Sequence, residues 1–326
     1  MIPTSCKPDA SRSPNPSVVV YCSVDEAYAK PILEAFEKES GIVVAAIYDS
    51  EAGKTTGLVN RIAAESHSGR VRADVFWSGE LFNTIRLARE NHLDPYASPA
   101  ASDIPVRFRD KDHRWTGLAA RACVLSFDSA RTPIAAECPD WEMLSSEPFA
   151  SRVAIANPLF GTTRGHVAAM FALWGEERGR TFLKRLRDGG ALVVDGNSAA
   201  VRSVLSGRSD FAMTDSDDVL AARRENSTLD LCYPDMGNGG TLMIPSTVGL
   251  ICGGPNPAEA RRLVDYLVSA DVERKLLESD SRNVPVRETL RAEMKVPWPA
   301  ESEIPIESIV NAMEASDRAV REILIR

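Results

Sequence analysis

Asn157-Pro-Leu-Phe-Gly-Thr-Thr-Arg-Gly-His166 follows a short apolar run, Val153–Ala156, and precedes a helix-like pattern from Val167 to Trp174. A strand, a Gly-Thr-Thr turn and a helix, in that order, aim free backbone N–H groups past the strand's end. The first turn of a helix has unpaired donors and the positive end of the dipole. The hydroxyls of Thr162 and Thr163 add donors, and Arg164 adds full charge. The stretch can seat a phosphate, carboxylate or carbonate group. It can equally be an ordinary cap, because threonine is common at helix starts.

The same order of elements recurs on both sides. Val18–Cys22 has the continuous apolar pattern of a strand buried on both faces. Ser23, with Glu26 three residues on, reads as a capping box for a helix over Ala27–Ser40, which Gly41 stops. Ile42–Tyr48 is a second strand, followed by a polar turn through Thr55 and a helix over Thr56–Ser66. Ala73–Trp77 is a third, ending in Ser78-Gly79-Glu80 before a helix over Leu81–Asn91. Strands alternating with helices predict an α/β fold with a mostly parallel sheet. Ligands of such sheets bind beyond the carboxyl ends of the strands. The turns Ser23–Glu26, Ser50–Thr55 and Ser78–Glu80 therefore share one rim.

Two long apolar runs, Trp115–Phe127 and Thr241–Ile251, read as strands carrying the chain into a second lobe and back. Between them the alternation resumes. Val153–Ala156 leads to the helix ending at Trp174, and a helix over Glu176–Asp188 stops at Gly189-Gly190. A strand over Leu192–Asp195 precedes a helix to Ser206, capped by Asn197 and Ser198. Phe211–Thr214 is a strand that opens into Asp215-Ser-Asp-Asp218 and a helix over Val219–Asn226. Helices over Ala258–Ser269 and Val272–Ser279 and an amphipathic tail, Ile306–Arg326, complete the pattern.

The chain has 326 residues, room for two domains of roughly 150 each. Its net charge of −8 is spread without a basic block, which argues against nucleic acid or an anionic membrane as partner. No run reaches the roughly 20 apolar residues that span a bilayer. The N-terminus lacks the apolar core of a secretory signal, so an intact signal is not expected. Met1–Ser17 is rich in Ser, Pro and Asn and reads as a flexible tether, in which Cys6 is a candidate lipid anchor. Pro3 stands where such an anchor site usually has Leu. The six cysteines form no CxxC pair and no Cys/His cluster, which argues against structural zinc. A disulfide involving Cys138 stays open.

Several stretches together resemble the extracytoplasmic solute-binding proteins of ABC transporters, in their ferric-ion-binding branch. They are Val18–Ser23, Phe36–Ile42, Ala73–Glu80, Trp141, Asn157–Thr163, Val194–Ser198, Gly249–Ile251 and Pro257–Arg262. The resemblance implies a two-lobed type II periplasmic-binding-protein fold, each lobe a mixed, mostly parallel sheet flanked by helices, with the ligand cleft between. Lobe one would hold 18–118 and 246–288, lobe two 119–245, with 289–326 a helical segment packing back on both. It implies a hinge-closing receptor, periplasmic or extracytoplasmic and monomeric, that hands a small ligand to a membrane permease. In the ferric branch two adjacent tyrosines hold iron, and a carbonate or phosphate co-anion sits at a second-lobe helix start. Carried over, the co-anion falls on Phe160, Gly161 and Thr162, with Asn197 reaching across. The tyrosine pair falls near Asp217-Asp218, and this chain has no Tyr-Tyr pair.

Asp215, Asp217 and Asp218 can therefore be read in three ways. They can hold a hard cation, with Glu51 or Glu80 from the first lobe. They can face the ammonium of an organic ligand such as an aminophosphonate. They can simply favour the dipole in a first helical turn. Trp77 at a strand end can line the cleft or be buried structure, and His166 reads as a core histidine more readily than as a metal ligand. Lys54-Thr55-Thr56 does not meet the phosphate-loop pattern, and Ser78 lies in no nucleophile elbow. Paired carboxylates could do glycosidase-like work, but nothing in their spacing favours it. The expected ligand is a small anionic or zwitterionic solute, such as a phosphate ester, phosphonate or carboxylate, with no resident cofactor. It would contact Ser23, Ser50, Glu51, Trp77, Ser78, Gly79, Glu80, Phe160–Thr163, Asn197, Ser198, Asp215 and Asp217. The alternative is Fe3+ with carbonate or phosphate, held by Asp217 and Asp218.

Overall fold

A computed structural model describes residues 16–49, 56–132 and 138–325. Ser50, Glu51 and Cys6 lie outside the described residues. The apolar run at the start becomes β1 (Ser17–Cys22), and the helix after it, α1 (Glu26–Ser40), buries Ala29, Ile32, Leu33 and Phe36 along one stripe. Gly41 ends α1 in the left-handed conformation, its N–H returned to the Glu37 carbonyl, as a C-terminal glycine does. The expected capping box does not form: Asp25 precedes α1 with no side-chain cap. Ser23 is drawn away toward the turn after the third strand.

The first lobe continues through β2 (Val43–Tyr48), α2 (Thr56–His67), β3 (Val75–Ser78), α3 (Phe82–Arg89) and the short β4 (Leu93–Asp94). The long run becomes β5 (Thr116–Asp128). The second lobe follows with α4 (Trp141–Leu144), β6 (Val153–Ala156), α5 (Gly161–Trp174), α6 (Glu176–Asp188), β7 (Leu192–Val194), α7 (Asn197–Leu205), β8 (Phe211–Asp215), α8 (Ser216–Arg223) and β9 (Leu229–Cys232). The return strand is β10 (Met243–Ile251), and α9 (Pro257–Leu267), α10 (Ala270–Glu278), α11 (Glu288–Met294) and α12 (Ile306–Ile323) close the chain. The short β4, β9 and α11 carry too little periodicity to be read from sequence. The Gly-Thr-Thr turn proves to be the first turn of α5 itself.

The strand order β2-β1-β3-β10-β5-β8-β6-β7, with β4 on β10 and β9 on β5, makes two half-sheets that share β5. Parallel pairs β1–β2 and β1–β3 build the first half, and β6–β7 and β6–β8 the second. The long strands β5 and β10 run antiparallel to each other. β5 pairs with β10 through Ala122, then with β8 from Cys123 to Phe127. The register shifts between Pro245 and Ser246, opposite Ala120 and Leu118, so Ala119 is an extra residue with φ 37°. A bulge of this kind bends a strand and steepens its twist. It lies inside the β5–β10 pairing, a few residues before β5 exchanges β10 for β8.

Glu273 holds the bulge in place. Its buried carboxylate accepts the N–H of Ala119 at 2.8 Å and of Val286 at 2.7 Å. Arg287, also buried, donates to Glu273 at 2.9 Å and to the carbonyl of Val268 at 2.7 Å. The tail helix α12 packs on α5 and α6 of the second lobe. Cys138 and Cys232 form a disulfide across 94 residues, which resolves the pairing left open. By the chain-entropy argument, closing so long a loop stabilises by about 4–5 kcal/mol.

Glu273→Gln keeps the volume and removes the counter-charge of a buried guanidinium. Breaking a buried pair in this way costs about 3–5 kcal/mol, and Asp103, at 2.8 Å from Arg287, places the expected loss at the low end. The shift in urea midpoint checks this; a loss below about 1 kcal/mol would mean the pair is dispensable.

Candidate functional site

Strand ends from both lobes meet around a cavity of about 160 Å³. Lobe one contributes Ser23 and Asp25 after β1 and Gly79 and Glu80 after β3. Lobe two contributes the starts of α5 and α7, Asp215 at the end of β8, and Asp218 in the first turn of α8. Arg121 of β5 reaches it from between the lobes.

The two helix starts supply main-chain donors. Phe160 precedes α5 with no side-chain cap, and the first helical bond runs from the Arg164 N–H to the Phe160 carbonyl. The N–H groups of Gly161, Thr162 and Thr163 come before it. Gly161 has φ 56°, a conformation that glycine adopts without cost. Gly196 likewise precedes α7 without a cap, and the first bond there runs from Ala200 to Gly196. Asn197 and Ser198 were expected to cap this helix and do not.

Their side chains, and those of both threonines, are committed to one another. Thr162 Oγ1 donates to Asp215 Oδ2. Asn197 Nδ2 donates to Asp215 at 2.8 Å and to Thr162 Oγ1 at 3.0 Å, while Thr163 donates to Asn197 Oδ1 at 3.0 Å. Ser198 donates to Asp218 Oδ1 at 2.7 Å. These bonds lock α5, α7, β8 and α8 into one wall of the cavity, which Thr162, Thr163, Asn197 and Ser198 line. Arg164, expected to add full charge there, does not line it. It pairs with Asp317 of α12 at 2.7 Å and with Asn83 at 3.3 Å, away from the cavity.

Three further expectations change. Trp77 is fully buried in the core with Val18 and Val20, because β3 lies between β1 and β10; it cannot stack on a ligand. Ser78 is buried behind the turn, accepting from the Glu80 N–H at 3.3 Å and from Ser23 Oγ at 3.3 Å. Asp217 does not line the cavity and pairs with Arg121 Nη1 at 3.0 Å. His166 is buried, edge-on to Trp141 at 4.5 Å, and burial alone pulls it down to about 3. It is a core histidine. Asp25, Asp195, Arg121 and Arg202 line the cavity and escaped the sequence reading. Arg121 had left a signal, as the one charge inside the apolar run Leu118–Phe127.

The lining is acidic: Asp25, Glu80, Asp195, Asp215 and Asp218 face only Arg121 and Arg202. Burial, then the charges of Asp217 and Asp215, push the Asp218 carboxyl well above the usual range. Burial would lower Arg121, but the carboxylates of Asp217, Asp215, Asp25 and Asp218 outweigh it and hold the guanidinium charged. Glu80 accepts from the N–H groups of Phe82 at 2.6 Å and Asn83 at 3.3 Å, yet burial still lifts it to about 7. Main-chain donors can thus hold an anionic group while carboxylates face a positive one. Asp215, Asp217 and Asp218 also present donor atoms within 4.8 Å of one another.

Two α/β lobes bridged by long strands, with a polar cleft between strand ends, define a receptor for a small solute. The chain belongs to the bacterial extracellular solute-binding proteins, whose family model matches residues 18–279. It is the substrate-binding component of an ABC importer, a transport protein that works outside the cytoplasm and delivers its ligand to a membrane permease. It is similar to Iron uptake protein A1 of Synechocystis sp., at 26% identity over 76% of this chain and 69% of that protein. It is also similar to a putative 2-aminoethylphosphonate-binding periplasmic protein of Salmonella paratyphi A, at 24% identity over 81% of this chain and 75% of that one. Among solved structures, the apo ferric ion-binding protein A of Pasteurella haemolytica shares the fold with a TM-score of 0.83 at 23% identity, over 94% and 97% of the two chains. The periplasmic binding protein AfuA of Actinobacillus pleuropneumoniae, with fructose-6-phosphate bound, shares it with a TM-score of 0.78 at 18% identity, over 94% and 97%. No helix among the described residues is long and apolar enough to cross a membrane.

Glu80 gives the site a pH signature. Its folded value, about 7, lies above the ordinary 4.5, so the folded state holds the proton more tightly. Its stabilising contribution is full below about pH 4.5 and is lost as pH rises through 7. Glu80→Gln, uncharged throughout, should remove that decline and gain on the wild type by up to about 1.4 kcal/mol per pH unit in this window. Urea midpoints from pH 4.5 to 8 measure it; parallel curves would refute it.

Proposed function

We propose that the cleft binds a small zwitterion, its phosphonate, phosphate or carboxylate head on the starts of α5 and α7 and its ammonium among Asp25, Asp215 and Asp218. The carrying observation is the pairing of two uncapped helix starts with an excess of carboxylates in one cavity. A simple anion would satisfy only the first. The relative named for 2-aminoethylphosphonate and the neighbour with a bound sugar phosphate support a phosphorus-bearing ligand class. Closure turns on the bulge shared by β5 and β10, and is favoured by a ligand that contacts both lobes.

A second reading rests on the carboxylate trio and on relatives named for iron uptake. It places Fe3+ with carbonate or phosphate on Asp217 and Asp218. Thermal melting of chelator-treated protein with 2-aminoethylphosphonate, inorganic phosphate, and Fe(III) with carbonate separates the two. A ligand at a hundred times its Kd stabilises by about 2.7 kcal/mol. The zwitterion should raise the melting temperature more than phosphate does. Asp218→Asn should weaken the zwitterion about tenfold, equivalent to about 1.4 kcal/mol, and leave phosphate within about twofold. Stabilisation by Fe(III) alone, lost with Asp217→Asn and Asp218→Asn, would establish the second reading instead.

A further inference from the structure

We propose that Arg121 is a specificity-determining residue of this cleft, a fixed internal cation that excludes metal ions from the Asp215–Asp217–Asp218 group and leaves it to organic ammonium ligands. The inference rests on the reading that this cleft is the ligand site.

Three carboxylates with donor atoms within 4.8 Å of one another are hard oxygen ligands of the kind that hold trivalent and divalent ions. Here one of them is already answered. Arg121 Nη1 stands 3.0 Å from Asp217 Oδ2, with the Asp217 side chain buried and that of Arg121 11% exposed, and Nη2 donates to Ser246 Oγ at 3.3 Å. The guanidinium cannot shed its charge, because arginine stays protonated in proteins. It cannot swing aside easily either. Its backbone is pinned in β5, in register with Ile244 of β10, and the flanking bulge is bonded to Glu273. A metal ion on Asp217 would stand beside full positive charge in a buried, poorly screened place.

The neutralisation is also incomplete, which leaves work for a ligand. Asp217 Oδ1 and Arg121 Nε are both buried without a hydrogen-bond partner. Asp25, Asp215 and Asp218 face the cavity itself. Arg121 and Arg202 face the five lining carboxyl groups of Asp25, Glu80, Asp195, Asp215 and Asp218, and a monovalent ammonium, which carries three N–H donors, need not touch Asp217. A multivalent ion held by the Asp215–Asp217–Asp218 group would use Asp217 and meet Arg121. Ligand choice then rests on one side chain of the crossing strand.

The test uses the full chain, treated with chelator, and Tb3+ as a hard trivalent probe read by its luminescence. Wild type and Arg121→Lys, which keeps the charge, should bind Tb3+ at least tenfold more weakly than Arg121→Gln. Adding Asp217→Asn to Arg121→Gln should abolish the gain. Equal Tb3+ affinity in wild type and Arg121→Gln would overturn the proposal, as would a gain in Arg121→Lys equal to that in Arg121→Gln. Should Arg121→Gln fail to fold by circular dichroism, the wild type still decides: tight Tb3+ binding lost with Asp217→Asn overturns the exclusion, and its absence supports it. Calorimetry with 2-aminoethylphosphonate on wild type runs in parallel. Failure there would sink the zwitterion reading while the Tb3+ gain in Arg121→Gln still upheld the exclusion of metal.

Discussion

One strand belongs to both lobes, and everything about the cleft depends on how it is held. β5 pairs with β10 on the first-lobe side and with β8 and β9 on the other. Within the β10 pairing, just before β5 passes to β8, lies the bulge at Ala119, whose N–H is answered by the buried Glu273 carboxylate. Two residues on, Arg121 points into the cleft, and Cys123 sets the register with Asp215 at the end of β8. A kink in one strand therefore fixes the position of the guanidinium and of the carboxylate beside it.

That placement governs the charge of the cavity. The acidic residues are not equivalent. Asp215 accepts from Thr162 and Asn197 and Asp218 from Ser198, while Asp217 is ion-paired with Arg121. Each bond also ties a helix or strand to its neighbour, so the wall is rigid before any ligand arrives. Pre-ordering of this kind lowers the cost of binding, because few side chains remain to be immobilised. The buried position that makes the wall rigid also lifts Asp218 and Glu80 above their ordinary values. In the first case neighbouring carboxylates add to burial; in the second, main-chain donors oppose it.

Much of the fold was legible because its signals are local or periodic. Continuous apolar runs marked β1, β5 and β10, and Gly41 and Gly189 marked helix ends. The rim turns after β1 and β3 were placed together correctly, and the start of α5 does line the cleft. What failed was the aim of individual polar side chains. Ser23 looked like a cap and instead donates to Ser78 and accepts from Gly79, more than fifty residues away. Trp77 looked available and is enclosed by its neighbouring strands. Asp217 and Asp218 are adjacent in sequence, yet helical geometry turns one toward Arg121 and the other toward the cavity. Such outcomes depend on long-range partners, to which spacing is blind. Arg121 was the exception: a lone charge in a buried strand must find a counter-charge, and that requirement could have pointed to it.

The two ends of the cleft also differ in what builds them. The donor end is main chain from α5 and α7, both in the second lobe, so a simple anion placed there contacts chiefly one side. The acidic end draws Asp25 from the first lobe and Asp215 and Asp218 from the second. A ligand with opposite charges at its ends therefore engages both lobes at once, whereas an anion alone gives the first lobe little reason to move. Since a ligand shifts an equilibrium only by its differential affinity for the two states, closure would select for the bipolar solute even where binding to the open form did not. On the proposed reading, selection by closure and selection by Arg121 act on the same feature, a single positive charge carried together with an anion.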